Sequence, residues 1–447
     1  MSSANSKAVM LLAKSASTGA LGGLLFGFDT AVIAGVTHSL SSHYRLSDSQ
    51  LGFTVAIALI GTVLGSLGSG VLGQRIGSRA ALRIMGVLYV LSALGCAFAG
   101  PWSMFLAFRF LGGLGIGGSS VLGPIYIAEL APAKWRGRLV GMFQINIVIG
   151  ILLAYLSNAI IAHFALGPIE WRVDLGVAVV PAIVFLLLLL SVPHSSRWLV
   201  SQNRIDEAQL ILARMGSPDS KAEVDSIVES LRFEGGLEQG NLFNRRYALP
   251  VFLAISIGLF NQLSGINAIL YYLNDIFASA GFSSVSSNTQ AVAIGLANLV
   301  ATLLGISIID KVGRKTLLLI GAVGTALCLG GVAWVFTTNS HLHLLLPLLI
   351  AFIVFFALSQ GAVIWVYLSE VFPTNVRAKG QSLGSSAHWI MNAAIAWTFP
   401  IIARHSRALP FAFFAAMMVV QLLTVYFVYP ETKGYSLEEM HQHIGAH

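Results

Sequence analysis

The chain has 447 residues, of which 56% are hydrophobic and only 10% are charged, and its mean hydropathy is +0.80. Soluble domains carry about 25% charged residues, so this composition excludes an ordinary soluble protein and indicates an integral membrane protein. The net charge of +7 does not indicate a nucleic-acid partner, because the basic residues cluster in short segments between apolar runs, as they do beside a membrane.

Apolar runs of membrane-spanning length recur along the whole chain. A bilayer core of about 30 Å needs about 20 apolar residues per helix. On that measure the sequence predicts twelve spans, at 16–37, 51–73, 81–99, 104–128, 139–162, 172–192, 248–274, 289–309, 316–337, 344–369, 380–403 and 410–429. The first run is too long for a signal-peptide core and lacks a clear cleavage site, so we expect it to be retained as a span.

The basic residues predict the orientation of these spans. With the N-terminus placed inside, 21 of the 26 Lys and Arg residues lie in inner segments, four lie in outer segments and Arg109 lies within a span. This bias predicts a multi-pass protein of the cell (plasma or inner) membrane with both termini in the cytoplasm. Cys96 and Cys328 both fall within spans, so neither a disulfide framework nor a metal site is indicated.

A charged insert separates two halves that resemble each other. Residues 193–246 hold 15 of the 45 charged residues and show helical periodicity, which predicts short amphipathic helices on the cytoplasmic side. Motif residues recur at nearly one offset: Glu129 with Glu370 and Arg136 with Arg377 at 241, Gly77 with Gly313 at 236, and Pro193 with Pro430 at 237.

The repeat predicts an all-α membrane fold of two pseudo-symmetric six-helix bundles. The bundles occupy residues 1–192 and 247–430, the helical insert lies at 193–246, and a short cytoplasmic tail follows at 431–447. Repeated halves of this kind are typical of secondary transporters, which bind their solute near mid-membrane between the halves.

Polar side chains within the spans indicate a neutral solute. Amides both donate and accept hydrogen bonds, as sugar hydroxyls do, and aromatic rings can cover the C–H face of a pyranose. A lone amide in a span can equally form a packing bond between helices, so both interpretations stay open. The amide candidates are Gln144, Gln262, Asn267, Asn298 and Asn392, and the aromatic candidates are Phe26, Tyr271, Trp365 and Trp389.

Asp29 and Arg109 are the two charged residues at mid-membrane positions. An ionisable residue inside a membrane predicts a function, and its expected partner is the arginine, which stays charged. The proton affinity of Asp29 then depends on whether Arg109 is in contact, which is what proton coupling requires. A static salt bridge in a passive carrier is the alternative.

Five motifs in sequence resemble the sugar porter family of the major facilitator superfamily. They read "FRFLGGLGIGGSSVLGPIYIAELAPAKWRG", "NQLSGINAILYY", "DKVGRK", "SEVFPTNVRAKG" and "PETKG", and the resemblance extends from Gly22 to Met440. It implies a two-bundle, twelve-helix fold that alternates around one monosaccharide. Bacterial proton-coupled hexose and pentose transporters of the family, which are related to glucose facilitators, carry an Asp at the position of Asp29.

The resemblance also implies roles for individual residues. Sugar contact is implied for Gln144, Gln262, Asn267, Tyr271, Asn298, Trp365 and Trp389, beside which we place His388 and Asn392. A salt-bridge latch at the inner ends of the helices is implied for Glu129, Arg136, Glu370, Arg377, Arg75, Arg314 and Glu431.

Several positions depart from the family pattern. Asn261 stands where a glutamine is common, and His388 where a glutamine or asparagine is common. In the first half Gln74 replaces an acid and Ser78 a base, and His194 replaces a glutamate. We therefore expect a weaker latch in the first half and an outward-facing state that is less favoured than in relatives.

The sequence thus predicts a secondary active transporter that imports a neutral monosaccharide, with glucose as the default, by proton symport. It predicts no enzyme activity, no cofactor or metal beyond the proton, no nucleic-acid partner, and a functional monomer in the lipid bilayer. The alternatives are a facilitative sugar uniporter and a non-transporting sugar sensor. The sensor is disfavoured because the last predicted span is followed by a short tail.

Overall fold

The computed structural model describes residues 3–131, 135–217, 219–236, 242, 244–372 and 376–433. Residues 434–447 of the predicted tail lie outside them, as do Pro132 and Pro373, which follow the repeated Glu129 and Glu370 at the same spacing. Within the described residues the regular structure is helical throughout, with twenty α-helices and four short 3₁₀ turns, so the all-α prediction is confirmed.

The helices follow the predicted order of half, insert and half. In the first half they are α1 (Ser3–Val32), α2 (Thr37–Tyr44), α3 (Asp48–Ile76), α4 (Ser78–Phe98), α5 (Trp102–Leu130), α6 (Arg136–His163), α7 (Glu170–Gly176) and α8 (Val179–Leu190). In the insert they are α9 (Ser196–Ser201), α10 (Ile205–Arg214) and α11 (Ser220–Gly236). In the second half they are α12 (Ala248–Leu263), α13 (Ile266–Tyr271), α14 (Leu273–Ser279), α15 (Ser284–Val312), α16 (Arg314–Thr338), α17 (Leu345–Leu358), α18 (Gln360–Glu370), α19 (Arg377–His405) and α20 (Leu409–Val428).

The helices account for the predicted spans. In the described part of the chain, eleven helical segments are long and apolar enough to cross a membrane. The twelfth predicted span, 380–403, lies on α19, which has the required length but carries polar residues such as His388 and Asn392. Several predicted spans are interrupted. A turn at 177–178 separates α7 from α8, Gly265, at φ +81°, separates α12 from α13, and Ser359 separates α17 from α18.

Equivalent glycines turn the chain at the same place in both halves. Gly77 (φ +88°) joins α3 to α4, and Gly313 (φ +102°) joins α15 to α16. Both φ angles lie in the region that favours glycine. Tyrosines one repeat apart also make equivalent hydrogen bonds, since Tyr126 donates to the carbonyl of Pro193 at 2.8 Å and Tyr367 to that of Pro430 at 3.2 Å. We call the end of the helices with these turns and the insert the insert side.

By internal packing the chain divides into two compact units. The first comprises Met1–Asp29, Gly61–Ile151 and Leu175–Glu238, and the second comprises Thr30–Ile60, Leu152–Asp174 and Gln239–His447. These units follow the predicted halves except at the ends opposite the insert side. There, first-half segments 30–60 and 152–174 pack within the second unit.

Specific polar contacts hold those segments within the second unit. Asp48 forms an ion pair with Arg404 at 2.7 Å, and the Tyr155 hydroxyl donates to the carbonyl of Leu270 at 2.9 Å. A Cβ at Gly52 would overlap the backbone of Trp397, so α3 and α19 approach closely there. On the side opposite the insert, the first-half segments 30–60 and 152–174 therefore pack directly against residues of the second half.

In the first unit, glycine permits close approach of α1 and α6. A Cβ at Gly150 would overlap the backbone carbonyl of Leu24, and a Cβ at Gly27 would overlap that of Ile147. Because a bilayer offers no hydrophobic driving force between helices, such close packing stabilises their association. This close packing holds the segment of α1 that carries Asp29 against α6.

We expect Gly150→Ala to destabilise the protein by about 1–3 kcal/mol, because the added methyl group collides with rigid backbone. The matched control is Gly141→Ala on the same helix, where a Cβ meets no atom within 4 Å. Thermal unfolding of both variants in detergent tests this. Equal melting temperatures for the two variants would contradict the close approach of α1 and α6.

Candidate functional site

Asp29 on α1 and Arg109 on α5 form a buried ion pair in the first unit. Arg109 Nη1 donates to Asp29 Oδ1 at 2.8 Å, and the side chains are only 4% (Arg109) and 18% (Asp29) exposed. Arg109 Nε is buried without a hydrogen-bond acceptor among the described residues, so the guanidinium depends on Asp29. Removing one partner of a buried pair leaves an uncompensated charge, which is strongly unfavourable. The expected contact is present, and its role in proton coupling stays a prediction.

In the second unit, an amide network surrounds Gln262 on α12. Gln262 Nε2 donates to Asn261 Oδ1 at 3.1 Å and lies 3.2 and 3.3 Å from the two ring nitrogens of His388. Its Oε1 accepts from Asn267 Nδ2 at 3.0 Å across the break at Gly265. Three predicted site residues, Gln262, Asn267 and His388, are thus brought together. Asn261, Gln262 and His388 are buried, with at most 6% of each exposed.

Aromatic rings adjoin this network. The centroid of the His388 ring lies 5.3 Å from that of Trp365 and 5.0 Å from that of Trp389. Trp365 is 40% exposed, whereas Trp389 is buried. Gln262, Asn267, His388 and the two tryptophans therefore form one contiguous polar and aromatic surface, with Trp365 as its exposed member.

Other predicted sugar contacts lie in separate pairs. Asn392 Nδ2 donates to the Tyr271 hydroxyl at 3.1 Å, while Asn392 Oδ1 has no hydrogen-bond partner among the described residues. Asn298 Oδ1 accepts from Thr302 at 3.4 Å, one turn along α15. Gln144 is half-buried on α6 in the first unit. Sequence reasoning missed Thr302, for which the i,i+4 spacing from Asn298 was an available signal.

At the insert side of the second half, three predicted latch residues meet. Arg314 donates to both carboxylate oxygens of Glu370, at 2.9 and 3.2 Å. Glu431 accepts from the backbone N–H groups of Arg314 and Lys315 at 2.9 and 3.0 Å, which caps the start of α16. Thr432, which the sequence did not indicate, donates to Glu370 at 2.6 Å.

The remaining latch candidates make different contacts. Arg377 Nε donates to the carbonyl of Phe372 at 3.1 Å, while Arg75 and Arg136 are exposed. Glu129 accepts from the hydroxyl of Ser78 at 3.2 Å, where its counterpart Glu370 accepts from a guanidinium. The substitution of Ser78 for a base thus replaces a charged donor with a neutral one.

His194 occupies the first-half position that corresponds to Glu431. Its ring stacks on Trp198 with 4.9 Å between centroids, and its Nε2 contacts Arg79 Nη2. Burial, and after it the positive charges of Arg79 and Arg204, lower the pKa of His194 to about 4. The ring is therefore neutral near pH 7 and accepts a hydrogen bond from Arg79, as a glutamate at this position also could.

Helical halves with repeated turns, a buried ion pair and an amide–aromatic surface within the spans define a membrane transporter of the major facilitator type. Residues 16–444 match the family described as "Sugar (and other) transporter". The chain therefore belongs to the sugar transporter family, whose members are transporters and not enzymes. The resemblance found in the motifs, and the predicted fold class, are confirmed.

Individual relatives extend over nearly the whole chain. The "D-xylose-proton symporter" of Escherichia coli K12 is 36% identical, covering 94% of this chain and 93% of its own. The "Glucose facilitated diffusion protein" of Zymomonas mobilis is 34% identical over 97% of both chains. The inward-open structure of the E. coli xylose transporter superposes with a TM-score of 0.86 at 34% identity, covering 96% of this chain and 99% of that one.

The depressed pKa of His194 predicts that the folded protein loses stability in acid. The unfolded chain binds a proton near the ordinary pKa of 6.5, whereas the folded chain binds it only near 4. The stability due to the neutral ring is thus complete above the unfolded value and is lost as the pH falls through this window. We expect the melting temperature of His194→Gln to fall less between about pH 7 and about pH 4.5 than that of the wild type.

The matched control for this measurement is His405→Gln, since His405 is exposed. It should keep the pH dependence of the wild type. The same acid-induced loss in wild type and His194→Gln would show that the buried ring does not contribute.

Proposed function

We propose that this transporter imports a neutral monosaccharide, glucose or a related hexose, by proton symport through alternating access. The family alone does not decide this, because a proton symporter and a facilitated-diffusion protein are similarly related to the chain. The observation that carries the proposal is the buried contact of Asp29 with Arg109. A carboxylate is kept there at a cost that transport of a neutral sugar alone does not require.

Protonation of Asp29 would change the force between α1 and α5. The ionised carboxylate is held by the guanidinium, whereas the protonated form loses most of that attraction, so the contact and the bound proton are coupled. The boundary between the two compact units falls directly after Asp29, within α1. A change in this contact therefore acts at the residue where α1 passes from one unit to the other.

The energy available from one proton is sufficient for concentrative uptake. One elementary charge moved across 100 mV is worth about 2.3 kcal/mol, which supports roughly fifty-fold accumulation of the solute. We propose the proton as the coupling ion and assign the chain no other cofactor or metal.

The sugar would contact the surface around Gln262 in the second unit. Gln262, Asn267 and His388 supply polar groups, and Trp365 supplies an exposed ring. Further contacts are proposed from the remaining candidates, Gln144, Tyr271, Asn298, Trp389 and Asn392. In the described part of the spans that carry these residues there is no cationic cluster for an organic anion, which favours a neutral solute.

The excess of basic residues on one side supports an orientation with both termini and the insert in the cytoplasm of the cell that carries this membrane. We assign the functional unit as a monomer, with the lipid bilayer and the sugar as its partners. The alternative function, facilitative uniport, would leave Asp29 and Arg109 as a static pair.

We expect Asp29→Asn to abolish accumulation of sugar in reconstituted vesicles while sugar exchange continues, because the amide cannot carry the proton. The control is Asp48→Asn, which removes the carboxylate of another ion pair on the opposite side from the insert. Uptake is measured with an imposed proton gradient, with and without an uncoupler. Uphill uptake by Asp29→Asn would exclude Asp29 as the proton acceptor, and wild-type uptake that never exceeds equilibrium would favour the uniporter.

We expect Gln262→Leu to raise the KM for sugar by about tenfold or more, because the hydroxyls lose their amide partner. Gln421→Leu makes the same change at another buried glutamine, on α20, and should leave the KM unchanged. Competition by glucose, galactose, xylose, fructose and mannose identifies the preferred sugar in the same assay. A normal KM in Gln262→Leu would remove this residue from the site.

A further inference from the structure

Asp275, on α14 of the second half, lies where the two halves meet on the side opposite the insert. α14 packs against the 3₁₀ turn at Ile33–Gly35, which follows α1 in the first half. The hydroxyl of Thr37, a residue that is 1% exposed, is close enough to interact with the Asp275 carboxylate, and the exposed imidazole of His38 lies nearby. All of these residues belong to the second unit. A first-half segment therefore covers this carboxylate.

The surroundings of Asp275 offer little compensation for a negative charge. Its Oδ2 is a buried atom without a hydrogen-bond partner among the described residues, and so is the adjacent Asn274 Oδ1. Thr37 Oγ1 also donates to the carbonyl of Ala34, at 3.4 Å. A buried charge without a partner is unfavourable, whereas a protonated carboxyl group is neutral and supplies a hydrogen-bond donor that these acceptors lack. The site therefore favours the protonated form.

Other titratable groups on the adjoining segments have contacts of their own. Tyr272 and Arg407 donate to backbone carbonyls at 2.8 and 2.6 Å, and the Tyr271 hydroxyl accepts from Asn392. His43, on α2, packs against aromatic rings. The charged residues of α15 lie at its insert-side end. In the described part of the chain, none of these groups forms an ion pair with the carboxylate on α14.

Protonation of this carboxyl group depends on whether it is covered. Asp275 lies beyond the candidate span, which ends at Tyr271. Burial raises the pKa of Asp275 from its ordinary value of 3.8 to about 6, although the Thr37 hydroxyl and the charge of His38 offset part of the rise. Between these two values the group is protonated when covered and ionised when hydrated. Acid therefore favours the covered form, and that preference is lost as the pH rises through about 6.

We propose that Asp275 is a second proton-binding group, which takes up a proton from the outer compartment when the first-half segment closes over it. This inference rests on the proposed alternating access and orientation, in which the side opposite the insert opens outward, but it does not depend on Asp29. The proton returns to the outer compartment when that side opens again, so it is not carried across the membrane. It makes closure of the outer side depend on the outer pH.

Infrared titration of the purified full chain in detergent tests proton binding. The carbonyl band of a protonated carboxyl group should titrate with a midpoint near pH 6, and this titration should be absent from Asp275→Asn. Thr37→Val removes a hydroxyl that favours the ionised form, so its midpoint should lie at higher pH. Asp48→Asn, which removes another carboxylate on the same side, should keep the wild-type midpoint.

Cysteine labelling in the same detergent tests the coupling to closure. Ala56→Cys is the reporter, since Ala56 is 0% exposed and lies one turn along α3 from Gly52, where α3 meets α19, and both native cysteines are buried. Its labelling rate is divided by that of Thr289→Cys, at an exposed position, which removes the pH dependence of the thiol. Between about pH 7 and about pH 5 this ratio should fall by up to about tenfold. Asp275→Asn, which is always neutral, should label slowly at both.

Either measurement can overturn the proposal. An infrared titration unchanged in Asp275→Asn would show that this carboxyl group does not bind the proton, and a labelling ratio that keeps its pH dependence in Asp275→Asn would show that binding is not coupled to closure. Both measurements need neither sugar nor a proton gradient, so they stand whether or not Asp29→Asn abolishes accumulation. Should Asp275→Asn fail to fold, Thr37→Val decides: a higher midpoint supports the proposal, and an unchanged midpoint overturns it.

Discussion

A charge pair in an apolar interior is the constraint on which the first unit depends. Arg109 stays ionised at any physiological pH, so burying it requires an acceptor at a fixed position. Asp29 is that acceptor, at 2.8 Å, and it lies on the segment of α1 whose backbone approaches α6 closely. Gly27 and Gly150, which permit this approach, therefore contribute to the same arrangement of helices as the ion pair.

The two halves share backbone turns and hydrogen bonds, but their functional polar side chains differ. Equivalent glycine turns and equivalent tyrosine hydrogen bonds recur in both, which shows that the repeat persists in three dimensions. The ion pair lies in the first half, whereas the contiguous amide and aromatic surface lies in the second. At the insert side, the second half has a bidentate Arg314–Glu370 pair, and the first has a hydroxyl in place of that arginine. Duplication thus preserved the backbone while side chains diverged.

The spans and the repeated turns were predictable because apolar length and glycine spacing are local properties of the sequence. The contact of Asp29 with Arg109 was also predictable, since a bilayer leaves an ionised side chain few partners. The bonds of Gln262 with Asn261 and His388 were not, because they depend on the break at Gly265 and on side-chain directions that periodicity does not encode. Nor did the sequence show that segments 30–60 and 152–174 pack within the second unit, since that depends on long-range contacts.

The hydrogen-bond inventory of the second unit bears on the kind of solute that fits it. Both hydrogens of Gln262 Nε2 have acceptors, in Asn261 and in the ring of His388, whereas among the described residues Oε1 accepts from Asn267 alone. Asn392 Oδ1 is a buried acceptor without a donor among the described residues. Gln262 Oε1 and Asn392 Oδ1 therefore both keep capacity to accept a hydrogen bond. An ionised carboxylate offers only acceptors and would leave this capacity unused, while a sugar hydroxyl donates a hydrogen without bringing a charge into the membrane.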